Sequence, residues 1–346
     1  MIRVLIVDDS ATVRRVLSDE LSKFEDIEVV GTAVDPYVAR DKIVELRPDV
    51  VTLDVEMPRM DGLSFLAKLM KHNPLPVVVV SSLTQDESEL ALRALQLGAV
   101  EVVPKPGSVY STPDVPKRLV RAIRAAAVAQ VGVPPPAAEK PPLLLARELR
   151  TTDKVLALGA STGGTKAIEE VLRYLPATAP ATVIVQHMPM GFTTAFAKRL
   201  DQVSPMEVRE ARDGEDLAPG LALVAPAKQH LLVQRSGARY YVRLKDGPPV
   251  HYQKPSVDVL FQSVAANVGP NAIGVLMTGM GADGAKGLLA MRQAGAHTIA
   301  ESEKSCVVFG MPKEAIALDA AVEVQPLPAI PRAILKALGE RPTTAR

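Results

Sequence analysis

The chain has 346 residues, 47% hydrophobic and 23% charged, with a formal net charge of +1. That length suggests about two domains, and the near-zero charge removes any bulk electrostatic case for binding nucleic acid or an anionic membrane. The single cysteine, Cys306, excludes an intramolecular disulfide, and no apolar run approaches the ~18 residues that would cross a bilayer. In MIRVLIVDDS the apolar run ends after four residues at two aspartates, too short for a signal peptide. The expectation is a cytoplasmic monomer, not embedded in a membrane and binding no nucleic acid.

In the first half five short apolar runs alternate with helical patterns: Val4–Val7, Ile27–Val30, Val50–Leu53, Val77–Val80 and Val100–Val103. Continuous Val/Ile/Leu runs mark parallel strands buried on both faces. Five strand–helix alternations predict a doubly wound α/β domain, whose working groups lie beyond the carboxyl ends of its strands. Asp8 and Asp9 follow the first strand, Asp54 ends the third, Ser81 ends the fourth and Lys105 follows the fifth. Three converging carboxylates repel one another and raise one another's pKa values unless a cation intervenes. A hard divalent ion such as Mg²⁺, held by Asp8, Asp9 and Asp54, resolves that conflict. One carboxylate can then attack a phosphoryl group, with Ser81 and Lys105 contacting its oxygens.

These residues, with Asp54-Val-Glu-Met-Pro-Arg-Met-Asp-Gly62 and Lys105-Pro106, make the first ~125 residues resemble a response-regulator receiver domain, which is flavodoxin-like. The resemblance implies that Asp54 is the phospho-acceptor. Val102 stands where many receivers carry an aromatic switch residue, so a rotating-aromatic relay is not expected.

The last helix of this half is predicted from Val115 to Ala129. Prolines 134, 135, 136, 141 and 142 then favour extended, semi-rigid chain. We therefore divide the chain into a domain over 1–125, a Pro-rich linker over 126–150 and a second domain over 151–346. Leu143–Leu145 is apolar enough to dock on a domain surface.

The second half centres on KVLALGASTGG, Lys154 to Gly164. A buried strand, Val155–Leu158, runs into a Gly-x-Ser-x-Gly turn, and a helix pattern follows from Thr165 to Tyr174. Such a turn can present Ser161 as a nucleophile or cradle a phosphate at the helix N-terminus. The second option lacks the Lys-Ser/Thr ending of a P-loop, the full dinucleotide glycine spacing and an acidic residue at the end of the next strand. Further strands are predicted at Thr182–Gln186, Ala272–Met277 and Thr298–Ala300, giving a second doubly wound, Rossmann-like sheet. Leu221–Val224, Leu231–Gln234 and Tyr240–Leu244 are expected to form an antiparallel hairpin excursion from it. His187 follows the second of these parallel strands, and Asp283 follows Met277 through the turn Thr278-Gly-Met-Gly-Ala-Asp-Gly284. Serine needs a base to take its proton, and the base needs a carboxylate to fix its tautomer. The chain order Ser–His–Asp differs from that of the α/β-hydrolases and both large serine-protease groups, so the triad is a geometric inference rather than a match to those families. The Gly-Met-Gly turn around Met280 can aim backbone N–H groups at an oxyanion.

Gly-Ala-Ser161-Thr-Gly-Gly, Gln186-His187-Met188 and Met277-Thr-Gly-Met-Gly-Ala-Asp283-Gly make residues ~152–340 resemble the catalytic domain of the chemotaxis protein-glutamate methylesterase family, CheB. With the receiver, the resemblance covers nearly the whole chain. It implies Ser161, His187 and Asp283 as the triad, the Met280 backbone at the oxyanion, and Thr162 as a neighbouring site residue. It implies hydrolysis of glutamate γ-methyl esters, and deamidation of selected glutamines, on methyl-accepting chemoreceptors, with no cofactor for the esterase reaction. A chemotaxis histidine kinase would be the phosphodonor, and the receiver would partly cover the esterase cleft until Asp54 is phosphorylated. Leu223 and Ala227 stand where the family commonly has an aromatic residue and a glycine. His230 and His251 are expected to be structural or surface histidines, and His72 and His297 to lie at the surface or at strand ends. Cys306 is expected to be buried filler.

Overall fold

The computed structural model describes residues 1–57, 60–81, 85–105, 115–132 and 153–339. Of the linker predicted over 126–150, residues 133–150, with its prolines and its apolar run Leu143–Leu145, lie outside the described residues, as do Pro58, Arg59 and Pro106 of the quoted motifs; residues 126 and 127 belong to the last helix of the first unit. The chain divides into two units, Met1–Val133 and Pro134–Arg346.

The first unit is built on five parallel strands, β1 (Ile2–Val7), β2 (Ile27–Ala33), β3 (Val50–Asp54), β4 (Val77–Ser81) and β5 (Glu101–Pro104), in the order β2-β1-β3-β4-β5. The helices between and after them are α1 (Ala11–Leu21), α2 (Pro36–Leu46), α3 (Gly62–His72), α4 (Gln85–Leu97) and α5 (Val115–Ala127). Ser10, Asp35 and Asp61 cap the first three by accepting backbone N–H bonds, as short polar side chains do at helix starts. β3 and β4 are buried throughout, as their continuous Val/Leu runs predict. β2 departs from that expectation: its middle residues are only half-buried, because it is an edge strand with one neighbour. β1 lies between β2 and β3, so the strand order reverses there and opens a crevice at its carboxyl end.

The second unit contains a seven-stranded parallel sheet in the order β14-β13-β12-β6-β7-β9-β8. Its strands are β6 (Val155–Ala160), β7 (Ala181–Gln186), β8 (Glu207–Glu210), β9 (Leu221–Val224), β12 (Ala272–Leu276), β13 (His297–Glu301) and β14 (Glu323–Gln325). Its helices are α6 (Gly164–Arg173), α7 (Phe192–Val203), α8 (Val257–Asn267), α9 (Ala285–Gln293), α10 (Met311–Ala317) and α11 (Ile330–Ala337). β10 (His230–Ser236) and β11 (Arg239–Lys245) form a separate antiparallel hairpin. The hairpin is tied to α8, where Ser263 Oγ accepts from the Val233 N–H at 2.9 Å and Asn267 Nδ2 donates to the Val233 carbonyl at 3.1 Å.

One strand differs from expectation. Leu221–Val224 is not part of the antiparallel excursion; it is β9, pairing in parallel with β7 (Thr182↔Ala222) and β8. All four of its residues are buried, which is the pattern of an interior parallel strand. β6 lies between β7 and β12, so this sheet too reverses its order, and its crevice opens at the carboxyl end of β6. Among the described residues no helix is long and apolar enough to cross a membrane.

Candidate active site

Strand register places the first two residues of the site. β6 and β7 pair with Ala160 opposite Gln186, so Ser161 and His187 are the next residues on neighbouring parallel strands. Such strands run about 4.8 Å apart. The His187 N–H donates to the Ala160 carbonyl at 3.2 Å, and Gln186 Nε2 donates to the carbonyls of Ser161 (2.8 Å) and His187 (3.1 Å). One buried amide therefore clamps both strand ends. Ser161 retains 9% exposure. Gly163, at φ +81°, makes the turn into α6 in a region that favours glycine.

Asp283 arrives from the turn after β12. Its Oδ2 lies 2.8 Å from His187 Nε2 and accepts the Val257 N–H at 2.8 Å. Its Oδ1 accepts from Ser256 Oγ (2.7 Å) and the Asp258 N–H (3.0 Å). Burial works against the charge on this carboxylate. The hydrogen bond and charge of His187, the Asp258 N–H and the Ser256 hydroxyl outweigh it and hold the pKa below the usual carboxylate value. The magnitudes agree: each hydrogen bond to an ionised group contributes about 1.5–3 kcal/mol, and here four converge. The positive end of α8 adds to them. An ionised Asp283 only accepts, so His187 Nε2 carries a proton, and in the neutral ring Nδ1 is the nitrogen with the lone pair. That Nδ1 is buried and has no hydrogen-bond partner among the described residues. The ring thus offers a base directed away from the carboxylate, with its two nitrogens exchanged relative to the familiar serine-protease arrangement.

The turn after β12 braces the serine from the other side. The Ser161 N–H donates to the Thr278 carbonyl at 2.9 Å, and Thr278 Oγ1 donates to the Thr162 carbonyl at 2.9 Å. A Cβ at Gly279 would come within 2.7 Å of Ser161 Cβ, so the close approach requires glycine. The Gly279 carbonyl accepts from the N–H groups of Gly310 (3.1 Å) and Met311 (2.8 Å). Because the peptide is planar and trans, this anchors the Met280 N–H pointing the opposite way. That N–H has no partner among the described residues, and Met280 is 44% exposed. It is a fixed donor of the kind an oxyanion needs. Thr162 is buried beside Ser161.

The edge of the first unit is an acidic pocket. Asp8 and Asp54 are buried and Asp9 is exposed, and each offers an oxygen within 4.8 Å of the others. Lys105 Nζ lies 2.7 Å from Asp54 Oδ2 and 3.4 Å from Asp8 Oδ2. Desolvation outweighs Lys105 and lifts the Asp54 carboxyl to about 6, and it raises Asp8 as well. Asp8 Oδ2 is buried without a hydrogen-bond partner. Ser81 is fully buried at the end of β4 beside this edge, and Val102 is buried in β5.

The remaining histidines take supporting positions. Buried His230 accepts the Ser256 N–H on Nδ1 at 3.2 Å and donates from Nε2 to the Pro248 carbonyl at 3.0 Å. The His251 side chain, 37% exposed, reaches Asp258. His297 opens β13, and His72 ends α3. Cys306 is a buried free thiol. Sequence reasoning missed Ser256 and Glu301. Ser256 showed only a helix-start signal. Glu301 lies one residue past the strand end predicted at Ala300, and Thr278 donates its N–H to Glu301 Oε2 at 2.9 Å.

The family model for CheB methylesterase matches residues 156–334, and that for the response regulator receiver domain matches residues 4–111. A relative from Syntrophus aciditrophicus, named protein-glutamate methylesterase/protein-glutamine glutaminase 2, is 54% identical over 97% of this chain and 98% of its own length. A relative from Anaeromyxobacter dehalogenans, named protein-glutamate methylesterase/protein-glutamine glutaminase 4, is 55% identical over 98% of this chain and 96% of its own. The crystal structure of the Thermotoga maritima CheB methylesterase catalytic domain matches with a TM-score of 0.52 at 36% identity, covering 54% of this chain and 98% of that one. On this evidence the chain belongs to the CheB methylesterase family, with a response-regulator receiver domain ahead of the esterase domain.

Proposed function

We propose that this chain is a phosphorylation-regulated serine esterase that hydrolyses glutamate γ-methyl esters on methyl-accepting chemoreceptors and deamidates selected glutamines there. Ser161 is the nucleophile, His187 the general base and Asp283 the group that orients His187. Ser161 Oγ attacks the ester carbonyl carbon while His187 Nδ1 takes the hydroxyl proton. Asp283, held ionised at the α8 N-terminus, steadies the imidazolium. The Met280 N–H, with its dipole fixed before substrate arrives, receives the oxyanion. The C–O bond to the methoxy group breaks, His187 returns the proton, and methanol leaves. Water then attacks the acyl-enzyme by the same route and releases a glutamate side chain. With a glutamine substrate the leaving group is ammonia and the remaining steps are unchanged. Thr162 supports the serine through its backbone. The observation that carries this reading is the 2.8 Å His187–Asp283 bond beside a buried, unpartnered Nδ1.

The receiver, over 1–125, is phosphorylated on Asp54 by a chemotaxis histidine kinase and controls the esterase domain, over 151–346, through the linker 126–150. Asp8, Asp9 and Asp54 fit Mg²⁺: all three present hard oxygen donors, and the buried Asp8 Oδ2 has no hydrogen-bond partner among the described residues. Bound there, the ion would neutralise carboxylate charge and the charge on the incoming phosphoryl group. Lys105 and Ser81 would contact the phosphoryl oxygens.

The test is methanol release from methylated receptor membranes and hydrolysis of generic esters, with Ser161→Ala as control. Release from receptors that disappears in the variant supports the reading. Activity on generic esters alone would point to another small-ester hydrolase, and no activity on either would leave a non-enzymatic response regulator.

A further inference from the structure

Glu301 closes β13 with 0% exposure. Its Oε2 accepts the Thr278 N–H at 2.9 Å and its Oε1 accepts from Ser305 Oγ at 2.9 Å. Among the described residues no Lys, Arg or His pairs with it. Of the charged groups on the helices packed against β13, Arg292 pairs with Asp319 and Lys336 with Glu323. Lys286, Lys313, Glu314 and Arg332 make no ion pair with it. Among the described residues the titratable group that acts on it is the Cys306 thiol, 3.9 Å from the Glu301 carbonyl and kept protonated by burial. A buried carboxylate without a cation is costly, and a glutamine could accept the Thr278 N–H and donate its NH₂ to Ser305 Oγ without the charge. The charge calls for a role.

That role lies two bonds away. Glu301 holds the Thr278 N–H, and the Thr278 carbonyl holds the Ser161 N–H at 2.9 Å. Thr278 Oγ1 bonds the Thr162 carbonyl and accepts the Val308 N–H at 3.0 Å. Turning Thr278 would therefore displace the nucleophile turn and, through Gly279, the Met280 N–H. We infer that Glu301 is a positioning residue for the esterase reaction: as a carboxylate it locks Thr278, and through it Ser161 and the oxyanion donor, more tightly than a neutral side chain would. The inference rests on the assignment of Ser161 as nucleophile.

The network also accepts the neutral acid. Ser305 Oγ lies 3.4 Å from the Ser302 carbonyl, so its hydroxyl can turn to donate there while its oxygen accepts a hydrogen bond from a protonated Glu301 Oε1. Burial without a counter-cation lifts the Glu301 carboxyl to about 7, so both forms are populated near neutrality. Since this value exceeds the unfolded one, the group's contribution to stability is complete at acid pH and is lost as pH rises through 7. The charged form thus costs stability while it holds the turn firmly.

The opposition supplies the test. Full-length wild type, Glu301→Gln and Glu301→Ala are assayed for methanol release from methylated receptor membranes from about pH 5.5 to about 8.5. Each variant is expressed as a ratio to wild type at the same pH, which cancels pH effects common to both proteins. Glu301→Gln should match wild type at the acid end and fall about fivefold in kcat/KM at the alkaline end, the difference between a charged and a neutral acceptor. Its unfolding temperature at the alkaline end should rise above that of wild type. Glu301→Ala should be slower at every pH, and if it does not fold, Glu301→Gln decides alone. A Glu301→Gln ratio that is the same at both ends overturns the inference, as does a loss of activity accompanied by a loss of stability. Failure of the wild type to release methanol would instead overturn the assignment of Ser161.

Discussion

The two units solve one geometric problem and reach opposite electrostatic ends. In each, carboxylates sit at the carboxyl edge of a parallel sheet, at or next to the strand where the order reverses. In the first unit Asp54 meets one backbone N–H and one lysine, and desolvation wins, lifting its carboxyl to about 6. In the second, Asp283 is buried just as deeply, yet it collects the α8 N-terminus, the Ser256 hydroxyl and His187, and its carboxyl falls below the usual range. Burial alone therefore does not decide what a carboxylate does. The count of donors aimed at it does. In the proposed reading Asp54 takes a cation and a phosphoryl group, whereas Asp283, its carboxyl held below the usual range, orients His187.

Substitutions can break or sharpen that contrast. The largest effect is expected at the nucleophile: Ser161→Ala should lower kcat by about 10⁶, the loss typical of serine hydrolases. A residual rate within tenfold of wild type would refute the triad. Asp283→Asn should lower kcat by about 10⁴, because an amide can turn its NH₂ to Nε2 and impose the wrong tautomer. It also sets that NH₂ against the Val257 N–H. Stability conferred by a lowered carboxyl is present at neutral pH and lost in acid, so the variant should unfold roughly 5–10 °C lower at pH 7, a gap that closes as pH falls.

Asp54→Asn should do the reverse. A raised carboxyl costs stability as pH passes about 6. The variant's first unit should therefore melt a few degrees higher than wild type at pH 8 and not at pH 4. It should also take no label from a small-molecule phosphodonor such as acetyl phosphate. Equal melting at both pH values would mean that Lys105 already offsets the buried charge. The smallest effect is expected at Ser256→Ala, which removes one of four donors from Asp283 and the cap of α8. It should cost about 1–2 kcal/mol of stability and a few-fold in turnover. Unchanged values on calorimetry and assay would show that the backbone N–H groups suffice.

Sequence alone determined the two parallel sheets, because buried strands read as unbroken Val/Ile/Leu runs whatever surrounds them. It also placed Asp54, Lys105, Ser161 and His187 at the carboxyl ends of strands, where they stand, because a buried apolar run shows where its strand ends. Only the tertiary structure decided the direction of Leu221–Val224: four apolar residues fill a parallel or an antiparallel slot equally well, and the neighbours β7 and β8 make the choice. Only the fold could reveal that Ser256 and Glu301 brace the site. Each is an ordinary polar residue until a segment 27 or 23 positions away is brought against it, and hydrogen-bond partners so distant in the chain leave no local pattern to read.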